Sequence, residues 1–126
     1  MKTVPSVTEE RGGGIAVLTF NRPERLNAWT DEMGQRYMAL LTSVDADPGV
    51  RAIVVTGAGR GFCAGLDLTA LSSPQARTPA DRKQARRARS FALRVRKPVI
   101  AAVNGPAAGL GLVQALFCDL RFVKAG

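Results

Sequence analysis

The sequence predicts an α/β domain organised around a parallel sheet. Two observations carry that expectation. The apolar runs at residues 52–56 and 99–103 are each followed at once by a glycine-rich segment, residues 59–68 and 102–111, that reads as turn and helix start. A helical pattern also separates the strand at residues 14–20 from the one at 52–56. That makes a β-α-β unit, whose crossover connection brings its strands side by side in parallel.

Each element follows from local signals. Residues 14–20 (Gly-Ile-Ala-Val-Leu-Thr-Phe) form a strand after the turn Gly12-Gly13-Gly14, and Asn21-Arg22-Pro23 ends it because Pro23 lacks a ladder donor. Thr30 is suited to cap a helix, with Asp31 and Glu32 in its first turn where the dipole favours acids. Met33, Tyr37, Leu40, Leu41 and Val44 then fall on one helical face, and Asp47-Pro48-Gly49 stops the helix. Residues 72–80 are polar and contain proline, so a mobile loop is expected there. A basic helix is expected over residues 81–96, closed by Lys97-Pro98. The second strand-turn-helix unit runs from Val99 to about Cys118, and residues 120–123 begin another strand.

Composition bounds the function. The 126 residues make a single domain, 1–126, and 46% of them are hydrophobic, which is ordinary for a globular chain. No stretch approaches the ~20 apolar residues of a membrane span. Residues 1–11 are mixed polar without an apolar signal core, so nothing marks export. Cys63 and Cys118 are too few for a disulfide framework and read as reduced cytoplasmic thiols. With no histidine, the chain cannot build a histidine-based triad or a histidine-ligated metal site. The net charge is +8, and half of the 18 Lys and Arg fall between Arg77 and Lys97, with Asp81 the only acid among them. A solvated face explains such a run most simply. A phosphate-bearing ligand comes next and nucleic acid last, since Phe91 is the only aromatic in it.

The glycine turns invite a dinucleotide-fold reading, which fails in detail. A Gly-x-Gly-x-x-Gly motif would need glycine at Phe62 or, in the second register, at Ala64. What two such turns can do is bring backbone close to a ligand and aim two N–H groups at one oxygen.

Residues 59–68 (Gly-Arg-Gly-Phe-Cys-Ala-Gly-Leu-Asp-Leu) and 102–111 (Ala-Val-Asn-Gly-Pro-Ala-Ala-Gly-Leu-Gly) together resemble the enoyl-CoA hydratase/isomerase, or crotonase, family. Asn21-Arg22-Pro23 with Arg25-Leu26-Asn27-Ala28 resembles a third family segment, and Cys118-Asp119-Leu120-Arg121 a fourth. The segments occur in family order from about Gly14 onward. The resemblance implies a crotonase-like spiral of repeated β-β-α units, here its N-terminal half and incomplete at the C-terminus. It also implies activity on acyl-CoA thioesters, with coenzyme A as part of the substrate and no separate cofactor or metal. A homo-oligomer, trimer or hexamer, is implied for a complete chain.

By the same resemblance the thioester oxygen is held by the backbone N–H groups of Leu66 and Leu110, after Gly65 and Gly109 respectively. Leu110 would open a helix, where unpaired N–H groups and the dipole favour negative charge. The family pattern puts Leu26 and Ala28 along the adenine and pantetheine channel, and Ala64, Asp67 and Leu68 along the bound arm. Arg25, or a basic residue near Arg86, would meet phosphate. Against these stand plainer roles: Asp67 as a helix-start cap, Cys63 as packing, Asn104 as a turn stabiliser, and Trp29 and Phe62 as core. Hydratases of the family also carry two glutamates. The first would stand at Val113, and Gln114 beside it faces another way on a helix; the second would lie beyond Gly126. The alternative is therefore a non-catalytic protein that binds acyl-CoA at most.

Overall fold

The computed structural model describes residues 4–71 and 77–125. Strands β1 (Val7–Gly12), β2 (Ile15–Phe20), β3 (Ala52–Gly57), β4 (Val99–Val103) and β5 (Leu120–Val123) form one five-stranded sheet in sequential order. β2 through β5 are parallel, as the β-α-β reading expects. β1 is the exception. It pairs antiparallel with β2, from Val7 opposite Phe20 to Gly12 opposite Ile15. The sequence reading missed it because Thr8-Glu9-Glu10-Arg11 is polar; β1 is an edge strand, and only Val7 of it is fully buried.

Alternation along the strands defines the core. Ala16, Leu18 and Phe20 of β2, Ile53 and Val55 of β3, and Val99, Ala101 and Val103 of β4 are buried. The register sets Leu18 beside Val55 and Val55 beside Ala101, which makes a continuous apolar row. Helix α1 (Asp31–Ala46) covers it with Met33, Tyr37, Leu40, Leu41 and Val44, the face read from the sequence. The Thr30 side chain caps α1 by accepting from the Met33 N–H. Phe20 sits in edge-to-face contact with Trp29, Tyr37 and Phe62, at centroid distances of 6.0, 5.2 and 5.5 Å. Each such pair adds ~1 kcal/mol beyond its buried area. Trp29 and Phe62 belong to the two turns described below, so this cluster ties those turns to the sheet.

The basic helix is shorter than expected and starts earlier. α3 spans Pro79–Ser90, and a 3-10 turn covers Phe91–Arg94. Thr78 and Asp81 form a reciprocal capping box with Pro79 at the first position, so the helix begins inside the stretch read as loop. The rest of that expected loop, residues 72–76, lies outside the described residues. A short helix α2 (Leu68–Leu71) follows the first glycine turn, and α4 (Leu110–Phe117) follows the second. Asp119 joins β4 to β5: its carboxylate accepts from the Val99 N–H (2.8 Å) and its N–H donates to the Val99 carbonyl (2.8 Å).

Candidate functional site

Three segments meet beyond the carboxyl ends of β2, β3 and β4, where open parallel sheets carry their ligands. They are residues 21–29, 57–67 and 104–111. Two asparagines hold them together. Asn27 is fully buried; its Oδ1 accepts from the Arg22 N–H (2.7 Å), and its Nδ2 donates to the carbonyls of Ala58 and Gly61 (3.0 Å each). Leu26 and Asn27 both adopt left-handed backbone, with φ of 51° and 57°. That is uncommon for leucine and persists only where surrounding bonds enforce it. Asn104 accepts from the Gly57 N–H (3.1 Å) and donates to the carbonyls of Gly57, Gly59 and Gly61 at 2.9, 3.1 and 3.2 Å. Its turn-stabilising role matches the sequence reading.

The segment at 62–67 runs between the other two. On one side Cys63 donates to Pro106 O and accepts from Ala108 N, both at 3.2 Å, in a parallel bridge to Ala107. On the other, Trp29 donates to Gly65 O (2.6 Å) and accepts from Asp67 N (2.8 Å), in a parallel bridge to Leu66. In this pattern both polar groups of Trp29 face the strand, while those of Leu66 point away from Trp29. Among the described residues the Leu66 N–H donates to no backbone acceptor. The Leu110 N–H at the start of α4 likewise donates to none. Gly65 borders both ends of this arrangement. With φ of +107°, it would carry a Cβ only 2.9 Å from Ala108 O and 3.9 Å from Leu110 N. Glycine is thus required there by conformation and by space.

Asp67 is 6% exposed and forms an ion pair with Arg22, Nη2 to Oδ2 at 2.9 Å. Its Oδ1 accepts from the Thr69 hydroxyl (2.6 Å) and N–H (3.0 Å), so it also caps α2 as the plainer reading expects. The Thr69 hydroxyl, with Arg22 next, holds the Asp67 carboxyl down at about 2. A carboxylate this acidic and this well bonded is a poor proton acceptor. The second Arg22 nitrogen, Nη1, donates to the Ala28 carbonyl. Burial raises the Cys63 thiol and pushes Cys118 up to about 11, and both cysteines are free. They are packing residues with little thiolate at neutral pH.

The remaining candidates are more exposed. Arg25, Ala64, Leu68 and Gly109 face solvent, whereas Leu26, Ala28 and Leu110 are half-buried. Arg86 lines a basic hollow of about 290 Å³ with Arg77, Arg82, Ala85 and Arg89; none of the glycine-turn residues borders it. Val113 lies half-buried in the first turn of α4. Gln114 is buried and donates to the Arg89 carbonyl (2.6 Å). Two features escaped the sequence reading, the Arg22–Asp67 pair and the Asn27 clamp. The available signal for the second was a lone polar residue between Leu26 and the apolar pair Ala28-Trp29. Among the described residues no group of three or more potential ligands could hold a metal, and no helix is long and apolar enough to cross a membrane.

Fold and turns together define an α/β protein in which two main-chain donors beyond the carboxyl ends of parallel strands meet no backbone acceptor among the described residues. The family profile described as enoyl-CoA hydratase/isomerase matches residues 10–125, and the chain belongs to that family. It is 45% identical over 109 residues to a probable enoyl-CoA hydratase of Mycobacterium tuberculosis, covering 85% of this chain and 42% of that one. It is 42% identical over 113 residues to the 1,2-epoxyphenylacetyl-CoA isomerase of Escherichia coli, covering 85% and 43%. Among solved structures, an enoyl-CoA hydratase/isomerase from Xanthobacter autotrophicus superposes with a TM-score of 0.83 at 35% identity, covering 94% of this chain and 46% of that one. An enoyl-CoA hydratase from Mycobacterium marinum superposes with a TM-score of 0.76 at 43% identity, covering 95% and 51%. The fold is crotonase-like, and the chain spans less than half the length of these two sequence relatives.

Proposed function

We propose that the chain binds an acyl-CoA thioester and polarises its carbonyl through the backbone N–H groups of Leu66 and Leu110. One observation carries this reading: both N–H groups lack backbone acceptors among the described residues, and Gly65 brings their segments together. As enolate charge develops on the thioester oxygen, each aligned donor lowers the barrier by ~3 kcal/mol. The leucine side chains are incidental. Leu110 adds the favourable end of the α4 dipole.

Leu26, Ala28, Ala64, Gly65, Asp67, Leu68 and Gly109 would follow the CoA arm, with Arg25 toward its phosphates. Coenzyme A enters as part of the substrate, so the reading needs no separate cofactor. The reaction class is hydration or isomerisation of an acyl-CoA, as the relatives' names suggest. The chain is read as cytoplasmic, in keeping with its free buried cysteines; a complete chain would form a trimer or hexamer with copies of itself, with no membrane partner and nucleic acid the least favoured one.

A second reading is favoured by the acid–base inventory. Val113 cannot transfer a proton, Gln114 is turned to α3, and Asp67 is committed to Arg22 and Thr69. On that reading the chain binds acyl-CoA without turning it over. Calorimetric titration with acetoacetyl-CoA, using free CoA as control, tests the binding claim. Tighter binding of the acyl ligand supports paired donors, and equal or absent binding defeats them. Turnover of crotonyl-CoA by the chain would eliminate the second reading.

A further inference from the structure

We infer that Arg22 is a positioning residue, which aims the Leu66 N–H by bracing Asp67 against the Ala28 carbonyl. The inference rests on the reading of Leu66 as a carbonyl donor and assigns the residue that fixes its direction. Among the described residues no backbone carbonyl accepts from the Leu66 N–H. Its orientation is set by its neighbours, Gly65 and Asp67, which are bonded to Trp29 through main chain only. Arg22 supplies the transverse link. One nitrogen holds Asp67 Oδ2 at 2.9 Å and the other takes the Ala28 carbonyl, immediately before Trp29 in the chain.

The Arg22 backbone is fixed in turn. Its N–H donates to Asn27 Oδ1 (2.7 Å), and its carbonyl accepts from the N–H groups of Arg25 and Asn27 (2.9 Å each). The fork of a guanidinium can span two acceptors on separate segments, which a single ammonium cannot do with the same geometry. The pair is mostly removed from water, with Arg22 at 21% and Asp67 at 6% side-chain exposure, so solvent screens it weakly. An unbraced Asp67 would let residues 65–67 rotate about the bonds to Trp29. Small rotations matter because donor strength depends steeply on alignment with the oxygen.

The test is the carbonyl stretching frequency of butyryl-CoA carrying carbon-13 at the thioester carbon, read by difference infrared spectroscopy on the full chain. In the wild type the bound band is expected to move to lower frequency than in water. Arg22→Met should lose half or more of that shift. It should also weaken butyryl-CoA about tenfold, with free CoA held within about twofold. Arg22→Lys should recover part of the shift, and Asp67→Asn, nearly isosteric, should lose it as Arg22→Met does. Should Arg22→Met fail to fold, the lysine and asparagine variants carry the comparison. A full carbonyl shift retained in folded Arg22 and Asp67 variants would reduce the pair to a structural role and overturn the inference. No shift in the wild type is a distinct result, read before any variant is made; it would remove the reading of Leu66 and this inference with it.

Discussion

Gly111 lies so close to Cys63 that a Cβ on it would stand 1.9 Å from the Cys63 carbonyl oxygen and 2.9 Å from the Cys63 Cβ. The contact sets the distance between α4 and the first glycine turn, because Cys63 is already bonded to Pro106 and Ala108. Gly111→Ala must separate the turns or break those bonds. A loss of about 2–4 kcal/mol in urea unfolding is expected, against less than about 0.5 for Gly12→Ala. At Gly12 an added Cβ meets nothing within 4 Å, which makes it the control. Equal effects at the two positions would show that the turns are not packed as described.

Asn104 offers a second handle on the same turn. Its amide serves Gly57, Gly59 and Gly61 at once, so Asn104→Ala leaves several partly buried backbone groups without partners. The expected cost is about 2–3 kcal/mol. Asn104→Asp should cost a similar amount, because a carboxylate keeps the bond from the Gly57 N–H and faces three carbonyls. A thermal melt of both variants checks this; a melting point unchanged in either would contradict the network.

Much of this fold was legible because local and global signals agree. The α1 stripe of Met33, Tyr37, Leu40, Leu41 and Val44, the Thr30 cap, and strands β2 to β5 were all readable from periodicity and stop residues. β1 was not, because an edge strand with one buried residue has no apolar alternation to display. The start of α3 was lost to the polar look of its capping residues, Thr78, Pro79 and Asp81. At the site, glycine spacing pointed to the backbone, since Gly65 and Gly111 mark close approach. The bracing side chains stayed hidden. Arg22 and Asp67 lie 45 residues apart and look individually like surface charges. Only the fold reveals that they meet.

The cysteines should be chemically silent. Burial raises both thiols, Cys118 to about 11, with Asp119 adding to the rise there. At pH 8 only ~0.1% of a thiol with that acidity is thiolate, before any steric block. Iodoacetamide should therefore label neither residue in the native state on the timescale of free cysteine, and both after denaturation in guanidinium. Rapid native labelling of Cys63 would show that its turn opens readily.

Leu110→Pro separates donor from side chain. Proline is well tolerated at the first position of a helix, and here it deletes the N–H assigned to the carbonyl together with the leucine side chain. Binding of acetoacetyl-CoA should weaken about 100-fold, with free CoA nearly unchanged. Leu110→Ala keeps the donor and should bind within about threefold of wild type. The two variants distinguish main-chain chemistry from an apolar pocket. If alanine harms binding as much as proline does, the side chain is what matters.

Asp67 should leave a signature in acid. Its carboxyl titrates near 3.8 in an unfolded chain and at about 2 in the folded one, drawn down by Thr69 and then by Arg22. A depressed carboxyl binds protons more readily when the chain unfolds, so its stabilising effect is complete above about pH 5 and fades as the pH drops through the folded value. Asp47 and Asp81 are lowered as well, by the Gly49 and Thr78 backbones first, so wild-type acid unfolding mixes several carboxylates. Asp67→Asn isolates one of them, since the amide oxygen can still accept from Thr69 while the charge facing Arg22 is gone. Urea midpoints of the two proteins should differ most near pH 5–6 and converge as the pH falls toward 2. A gap that stays constant over that range would mean that the carboxylate charge does not hold Arg22 in place.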